Sequence, residues 1–190
     1  YGRMMDKPAA TLLHTGPGLG NGIANLHNAK KAKTPIVNIV GEHATYHIDH
    51  DAPLTADIAA IAAPVSHWVK TSPDAASVAR DGAQAIAEAK AAPGRIATLI
   101  LPADTAWNEA EGTAKVPDVA PPDSVGEGAI RDCADALRSG EPCLILLGHR
   151  GLRANPLEIA GRIAAKTGAT VMSEFPASRI ERGAGRFTAE

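Results

Sequence analysis

The chain has 190 residues, of which 45% are apolar and 3% aromatic, enough to bury a sizeable core as one large domain or two small ones. Its 19 basic and 21 acidic residues form no basic block and no aromatic interleaving, which excludes the electrostatic footprint of a nucleic-acid binder. No apolar run reaches the ~20 residues of a membrane span, no signal-peptide core opens the chain, and the two cysteines lack CxxC spacing, so a reduced, cytoplasmic location away from membranes is expected.

The first residues, "YGRMMDKP", read as the end of a helix stopped at Lys7-Pro8. A strand is expected over 10–14, followed by "HTGPGLGNG", where glycine takes every second position from Gly16 to Gly22. The spacing predicts a glycine-rich loop and then a helix over 22–32 capped by Asn21, with Ile23, Leu26 and Ala29 recurring at helical spacing. Such a junction presents backbone N–H groups that lack partners within the helix, the usual place to hold an anionic or polar ligand. Four glycines exceed what a turn requires, so another backbone or a flat ligand is expected to approach closely.

Further strands are expected at 35–41 ("PIVNIVG"), 65–70, 95–102 ("RIATLILP"), 142–148 ("PCLILLG") and 169–173, with helices at 55–62, 73–91, 129–139 and 156–167. The first two strands are near-continuous apolar runs, as in a parallel sheet covered on both faces. Strand alternating with helix is the pattern of a doubly wound α/β sheet. The helix over 73–91 is expected to bury Val78, Ala79, Ala83 and Ile86 and to turn Asp74, Arg80, Asp81, Glu88 and Lys90 to water. Between 104 and 128, three prolines and three glycines break the rhythm. Residues 1–112 are therefore expected to form one α/β domain, 113–126 a linker and 127–190 the opening part of a second. Trp68 and Trp107 read as core or interface anchors, and Cys133 and Cys143 as core thiols.

The glycine run does not fit a dinucleotide fingerprint. Counted from Gly16 its third glycine position falls on Asn21, and from Gly18 on Ile23, although Glu42 sits about where a ribose-binding acid belongs. No Lys-Ser or Lys-Thr follows at P-loop spacing. "GEHATYHIDHD" gathers His43, His47 and His50 beside Glu42, Asp49 and Asp51, without the HExxH wording. A polar surface loop, substrate contact and a zinc-type site are all open readings of it, and no metal ligand is assigned. Ser66 and Ser173 lack a nucleophile-elbow context, and Arg179, Arg182 and Arg186 read as a solvated basic tail.

In "LLHTGPGLGNGIANLHNAKKAKTPIVNIVGE" a strand, a GPG loop, a Gly-Asn pair, an alanine-rich helix and a strand ending in Gly-Glu follow one another, with "YGRMMDKP" just before. A later stretch runs "CADALRSGEPCLILLGHRGLRANPLEIAGRIAAKTGATVMSEFPASRIERGAGR". Together these resemble the thiamine-diphosphate-dependent enzymes of the acetolactate synthase and benzoylformate decarboxylase group. The first is similar to the latter part of that family's pyrimidine-binding domain, the second to the opening of its middle domain.

The resemblance implies a partial pyrimidine-binding domain of doubly wound parallel α/β architecture, followed by the start of a Rossmann-like second domain. It implies decarboxylation or carboligation of a 2-oxo acid, with thiamine diphosphate and Mg²⁺ as cofactors, in a homo-oligomer formed through the pyrimidine-binding domain. Carried over residue by residue, His14 would be catalytic in proton transfer, a task suited to an imidazole pKa of about 6.5. Gly16, Pro17, Gly18, Asn21 and Glu42 would contact the cofactor. The family's activating glutamate belongs upstream of Tyr1, and its "GDG" anchor for Mg²⁺ and diphosphate beyond Glu190, so this chain alone is expected to be inactive. The alternative is a non-catalytic α/β module that uses the same glycines for a nucleotide or anion. A third reading is a metal-dependent hydrolase centred on His43 and His47.

Overall fold

The computed structural model describes residues 1–174 and 179–190; Phe175 to Ser178, within the second stretch quoted above, lie outside the described residues. The chain divides into two compact units, Tyr1–Pro121 and Pro122–Glu190.

In the first unit, helix α1 (Gly2–Met5) ends at Asp6, whose φ of 52° turns the chain ahead of Lys7-Pro8. Four parallel strands follow, β1 (Ala9–His14), β2 (Ile36–Glu42), β3 (Trp68–Thr71) and β4 (Ile96–Pro102), in the order β1-β2-β4-β3. With them alternate α2 (Thr15–Lys31), α3 (Ile58–Ala62), α4 (Ala75–Lys90) and α5 (Asp104–Trp107). The two central strands, β2 and β4, carry branched aliphatics on both faces, as a doubly covered parallel sheet demands. Ile36, Val40, Ile96 and Ile100 pack beneath Leu19 and Leu26 of α2 and Ile58 and Ala62 of α3. On the opposite face Val37, Ala97 and Leu99 meet Ala85 and Ala89 of α4. The sheet is doubly wound and parallel, as expected.

β1 departs from the expected coverage. Ala9, Thr11 and Leu13 face inward while Ala10, Leu12 and His14 are exposed, Leu12 at 76%, because β1 is an edge strand and α4 packs on β4, β2 and β3.

The larger difference concerns the glycines. No loop separates β1 from the following helix: α2 begins at Thr15, so Gly16 to Gly22 lie in its first turns and Asn21 is an exposed residue within it rather than its cap. Glycine costs a helix about 1 kcal/mol per position relative to alanine, and close packing outweighs that cost here. A Cβ on Gly16 would collide with the Cβ of Ala56, and one on Gly22 would come within 2.9 Å of Leu13 Cδ1. Pro17 is tolerated because the first turn of a helix needs no N–H donor there.

Asp81, expected to face water, is 1% exposed and ties α4 to the edge of the sheet. Lys70 Nζ donates to its carboxylate at 2.8 Å and Ser72 Oγ at 3.0 Å, with Arg80 Nε at 3.4 Å. The buried stripe of α4 is accordingly rotated: Ala83 is buried as expected, together with Ala75, Ala85 and Ala89, whereas Val78, Ala79 and Ile86 are half-buried. α3 starts later than expected, at Ile58, because Asp57 caps it by accepting from Ala60 N at 2.9 Å. β3 also starts late, at Trp68, after a single turn of 3-10 helix over Ala63–Val65. Trp68 packs against the α4-side core, but Trp107 is 68% exposed and lies outside the core of the unit.

A polar row crosses the sheet on the face covered by α2 and α3. Thr11 Oγ1 donates to Asn38 Oδ1 at 2.8 Å, Asn38 Nδ2 donates to Thr98 Oγ1 at 3.2 Å, and Thr98 Oγ1 meets Ser66 Oγ at 2.7 Å. Asn38 and Thr98 are fully buried, and the mutual hydrogen bonds meet the requirement that burial imposes on them.

The second unit holds α6 (Glu127–Arg138), β5 (Leu144–Leu147), α7 (Ala154–Thr167) and β6 (Thr170–Ser173), the two strands pairing in parallel. Ile145, Leu147 and Val171 pack with Leu152, Leu157, Ala160 and Ala189, while Leu144 and Leu146 are exposed. The short sheet is therefore covered on one face. α6 buries none of its residues, so Cys133 is exposed and Cys143 half-buried, against the expectation of core thiols. Glu190 runs beside β6, its N–H donating to Val171 O at 3.1 Å and its carbonyl accepting from Ser173 N at 2.7 Å. Among the described residues no helix is long and apolar enough to cross a membrane.

Candidate functional site

Parallel strands deliver their carboxyl ends to one edge, where helix amino ends and loops gather side chains around a shared crevice. In the first unit that edge is built by the end of β1, the start of α2 and the end of β2. His14 closes β1 opposite Gly41 of β2, and a Cβ on Gly41 would stand 3.3 Å from His14 Nδ1. The imidazole is exposed on the uncovered side of β1.

Thr15, between His14 and the glycines, takes a φ of 54° although it is β-branched and 1% exposed. Its hydroxyl donates to the carbonyl of His14 at 2.8 Å. That single residue turns extended backbone into helix, and the next turn rises beside His14. A Cβ on Gly18 would lie 3.7 Å from His14 Cβ, and one on Gly20 would meet nothing within 4 Å. Gly18 and Asn21 follow the spacing that shares one helix face, and His14 Cβ stands beside Gly18, so the exposed strip reads imidazole, bare backbone, carboxamide.

The residues singled out in the sequence thus separate into two sets. His14, Pro17 and Asn21 are exposed and Gly18 half-buried, all near the edge. Gly16 is buried against Ala56, with Ile61 Cδ1 3.6 Å from its Cβ position, and Glu42 is buried with its carboxylate accepting from His43 N at 2.6 Å. Thr15, Gly41 and Ala56 also belong to the site, and sequence reasoning misses all three. Gly41 is visible in "PIVNIVG", but Ala56 is recruited by the fold and carries no sequence signal.

The loop after β2 is clipped in place by Asp104 at the start of α5. Thr45 donates to the Asp104 carboxylate through its hydroxyl at 2.6 Å and its backbone N–H at 3.0 Å, and these bonds hold the carboxyl below its ordinary pKa. The His43 and His47 rings lie 5.6 Å apart between centroids, as do those of His47 and His50. Among the described residues no group of three His, Cys, Asp or Glu side chains is arranged to hold a metal ion.

Chemically, this edge offers the solvent-accessible imidazole of His14 beside backbone from which side chains are missing. A Cβ on Gly18 would make only ordinary contact with His14 and Leu13 and one on Gly20 would meet open space, so packing does not require their bareness, which leaves room for a flat ring laid against α2. A side chain there would hold such a ring off.

Residues 1–62 match the family model described as thiamine pyrophosphate enzyme, N-terminal TPP binding domain. That segment is similar to the N-terminal domain of the thiamine pyrophosphate enzymes. Over 186 residues, 97% of this chain, it is 48% identical to IlvX of Mycobacterium tuberculosis (strain ATCC 25618 / H37Rv), assigned as an acetolactate synthase large subunit, of which it spans 35%. A structure from Mycobacterium smegmatis assigned as a thiamin diphosphate-dependent enzyme matches with a TM-score of 0.81 and 26% identity, over 93% of this chain and 34% of that one. The benzoylformate decarboxylase of Polynucleobacter necessarius shares the fold, with a TM-score of 0.78 at 22% identity over 90% of this chain and 33% of its own. The chain spans about a third of the length of these relatives. Within this matched segment fall α1, β1, α2, β2 and α3, and with them His14, Gly18, Asn21, Glu42 and the histidine loop.

Proposed function

We propose that this chain supplies the pyrimidine-side wall of an active site in which a 2-oxo acid is decarboxylated or ligated with the help of thiamine diphosphate. The observation that carries the reading is the exposed imidazole of His14 standing beside Gly18 at the bare start of α2, within the segment matched to the thiamine pyrophosphate binding domain. When bound, the cofactor supplies a carbon nucleophile able to add to a 2-oxo carbon. The chain's own residues do the rest of the work on this side. His14 takes and returns a proton at its imidazole. Gly18 lets the ring reach van der Waals contact, Pro17 stiffens the first turn, and Asn21 offers a carboxamide donor and acceptor on the same strip. Gly16 and Glu42 shape the wall from inside, one by seating α2 on Ala56 and the other by holding the backbone of His43.

The diphosphate and its Mg²⁺ would be held by groups other than these residues, in a homo-oligomer assembled through this unit in the cytoplasm. On this reading the chain by itself binds the ring weakly and turns over no 2-oxo acid.

The test is an NMR titration of the ¹⁵N-labelled chain with thiamine and, separately, with thiamine diphosphate. The expected result is the same set of shifts for both ligands, centred on His14, Gly18 and Asn21. No perturbation of these residues by millimolar thiamine sinks the reading. Shifts produced there by ADP and not by thiamine would instead favour a nucleotide-binding module.

A further inference from the structure

We infer that Thr15 is the positioning residue for His14, setting where the imidazole stands at the edge of the sheet; the catalytic meaning of this rests on the role proposed above for His14. Thr15 has a φ of 54°, a region that β-branched residues rarely occupy because Cβ crowds the neighbouring carbonyl. A glycine would adopt it freely, and glycine is the very next residue in the sequence. The threonine is nonetheless 1% exposed, and its hydroxyl donates at 2.8 Å to the carbonyl of His14 itself. The side chain is therefore bonded to the peptide group that carries the imidazole.

The neighbours over-determine this geometry, which is the condition under which a strained residue persists. On one side Gly16 is seated against Ala56, so the helix cannot back away. On the other His14 keeps extended dihedrals, φ −120° and ψ 117°, as the last residue of β1, with Gly41 directly opposite. One left-handed residue lets β1 pass into α2 with no intervening loop, and the imidazole inherits the rigidity of both elements. A catalytic group held on regular structure is placed more precisely than one carried on a flexible connection.

The test separates the hydroxyl from the side-chain bulk by comparing Thr15→Ser, Thr15→Val and Thr15→Gly. The readout is the imidazole ¹H–¹⁵N spectrum across pH, with the His14 signals assigned by their loss in His14→Gln. Thr15→Ser should leave the tautomer ratio and titration midpoint of His14 unchanged. Thr15→Val and Thr15→Gly should move the midpoint by about 0.3 unit, a twofold change in the protonation equilibrium, and broaden the ring signals. If Thr15→Gly does not fold, the serine and valine variants decide the matter. Unchanged His14 signals in the valine variant, alongside a lowered melting temperature, would reduce Thr15 to a packing residue and overturn the inference. No thiamine is present in this experiment, so its failure is distinguishable from failure of the thiamine titration.

Discussion

His14 and Gly41 stand opposite each other at the ends of two parallel strands, and a Cβ on Gly41 would stand only 3.3 Å from His14 Nδ1. That separation is tighter than most contacts a real Cβ makes, so the imidazole would have to yield by a few tenths of an ångström. Because the ring borders solvent it can yield, and the fold need not. Gly41→Ala is expected to change stability by no more than about 0.5 kcal/mol while moving the His14 ring signals and weakening the shifts that thiamine induces there. A melting curve together with an imidazole spectrum checks both halves, and unmoved His14 signals would refute it.

The glycines of α2 are not equivalent, and alanine substitution should reveal this with opposite signs. Gly16→Ala drives a methyl into Ala56 in a buried turn and should destabilise the first unit by about 2 kcal/mol, typical of overpacking. Gly20→Ala meets open space in a helix and should stabilise by about 0.5–1 kcal/mol through lost chain entropy. Urea denaturation of the two variants gives the comparison, and equal signs would mean that the seating of α2 on Ala56 is wrong.

These glycines also mark where sequence reasoning stops. The alternation of strand and helix is legible because the branched aliphatics of β2 and β4 and the alanine stripe of α4 follow strand and helix periods. That Gly16 to Gly22 lie inside a helix is not, since four glycines argue locally for a loop and only Ala56, distant in the chain, and Leu13 supply the packing that overrides this local preference. Asp81 is misread for the same reason. A charged residue on a helix reads as solvated until Lys70 and Ser72 are brought beneath it by the sheet. His14 and Gly18 are legible as a pair, but the strained Thr15 that joins them is not, because a positive φ leaves no mark on a threonine.

Asp81 links pH to stability on the acid side. Burial raises its pKa, but hydrogen bonds from Lys70 and Ser72 and the charges of Lys70 and Arg80 outweigh that and hold it below the ordinary 3.8. The folded state thus binds the proton more weakly than the unfolded chain. The stabilisation is full above the unfolded value and is lost as pH falls through the lower folded value. Asp81→Asn should destabilise by about 2 kcal/mol at pH 7 and flatten the acid limb of the stability profile. A variant as stable as the parent would show that the contact with Lys70 contributes nothing.

His67 acts nearer neutrality. Its Nδ1 accepts from Ile96 N at 3.0 Å while its own backbone N–H donates to Ile96 O at 2.8 Å, which seats the start of β3 against β4. Burial, followed by the charges of Lys30 and Arg95, lowers its pKa from 6.5. Protonation would also set a second donor against the Ile96 N–H. Its contribution is therefore complete above about 6.5 and disappears as pH falls through the lower folded value. Denaturant midpoints at pH 7.5 and 5.0 should differ less in His67→Asn than in the parent, since asparagine can accept from Ile96 without titrating. An identical pH response in both proteins would assign the effect to other histidines.

The row Thr11, Asn38, Thr98 and Ser66 has a further consequence. Parallel strands made of valine, isoleucine and leucine can slide past one another by two residues and still present apolar side chains to the same face. In this sheet such a slide would carry the Asn38 carboxamide from Thr11 to Ala9 or Leu13, and from Thr98 to Ile96 or Ile100. A buried amide would be stranded among hydrocarbons, at a cost no aliphatic mismatch approaches. The row works as a tooth in a lock: it lets the strands meet in one alignment, and in that alignment the last residue of β1 arrives opposite the glycine that leaves room for it.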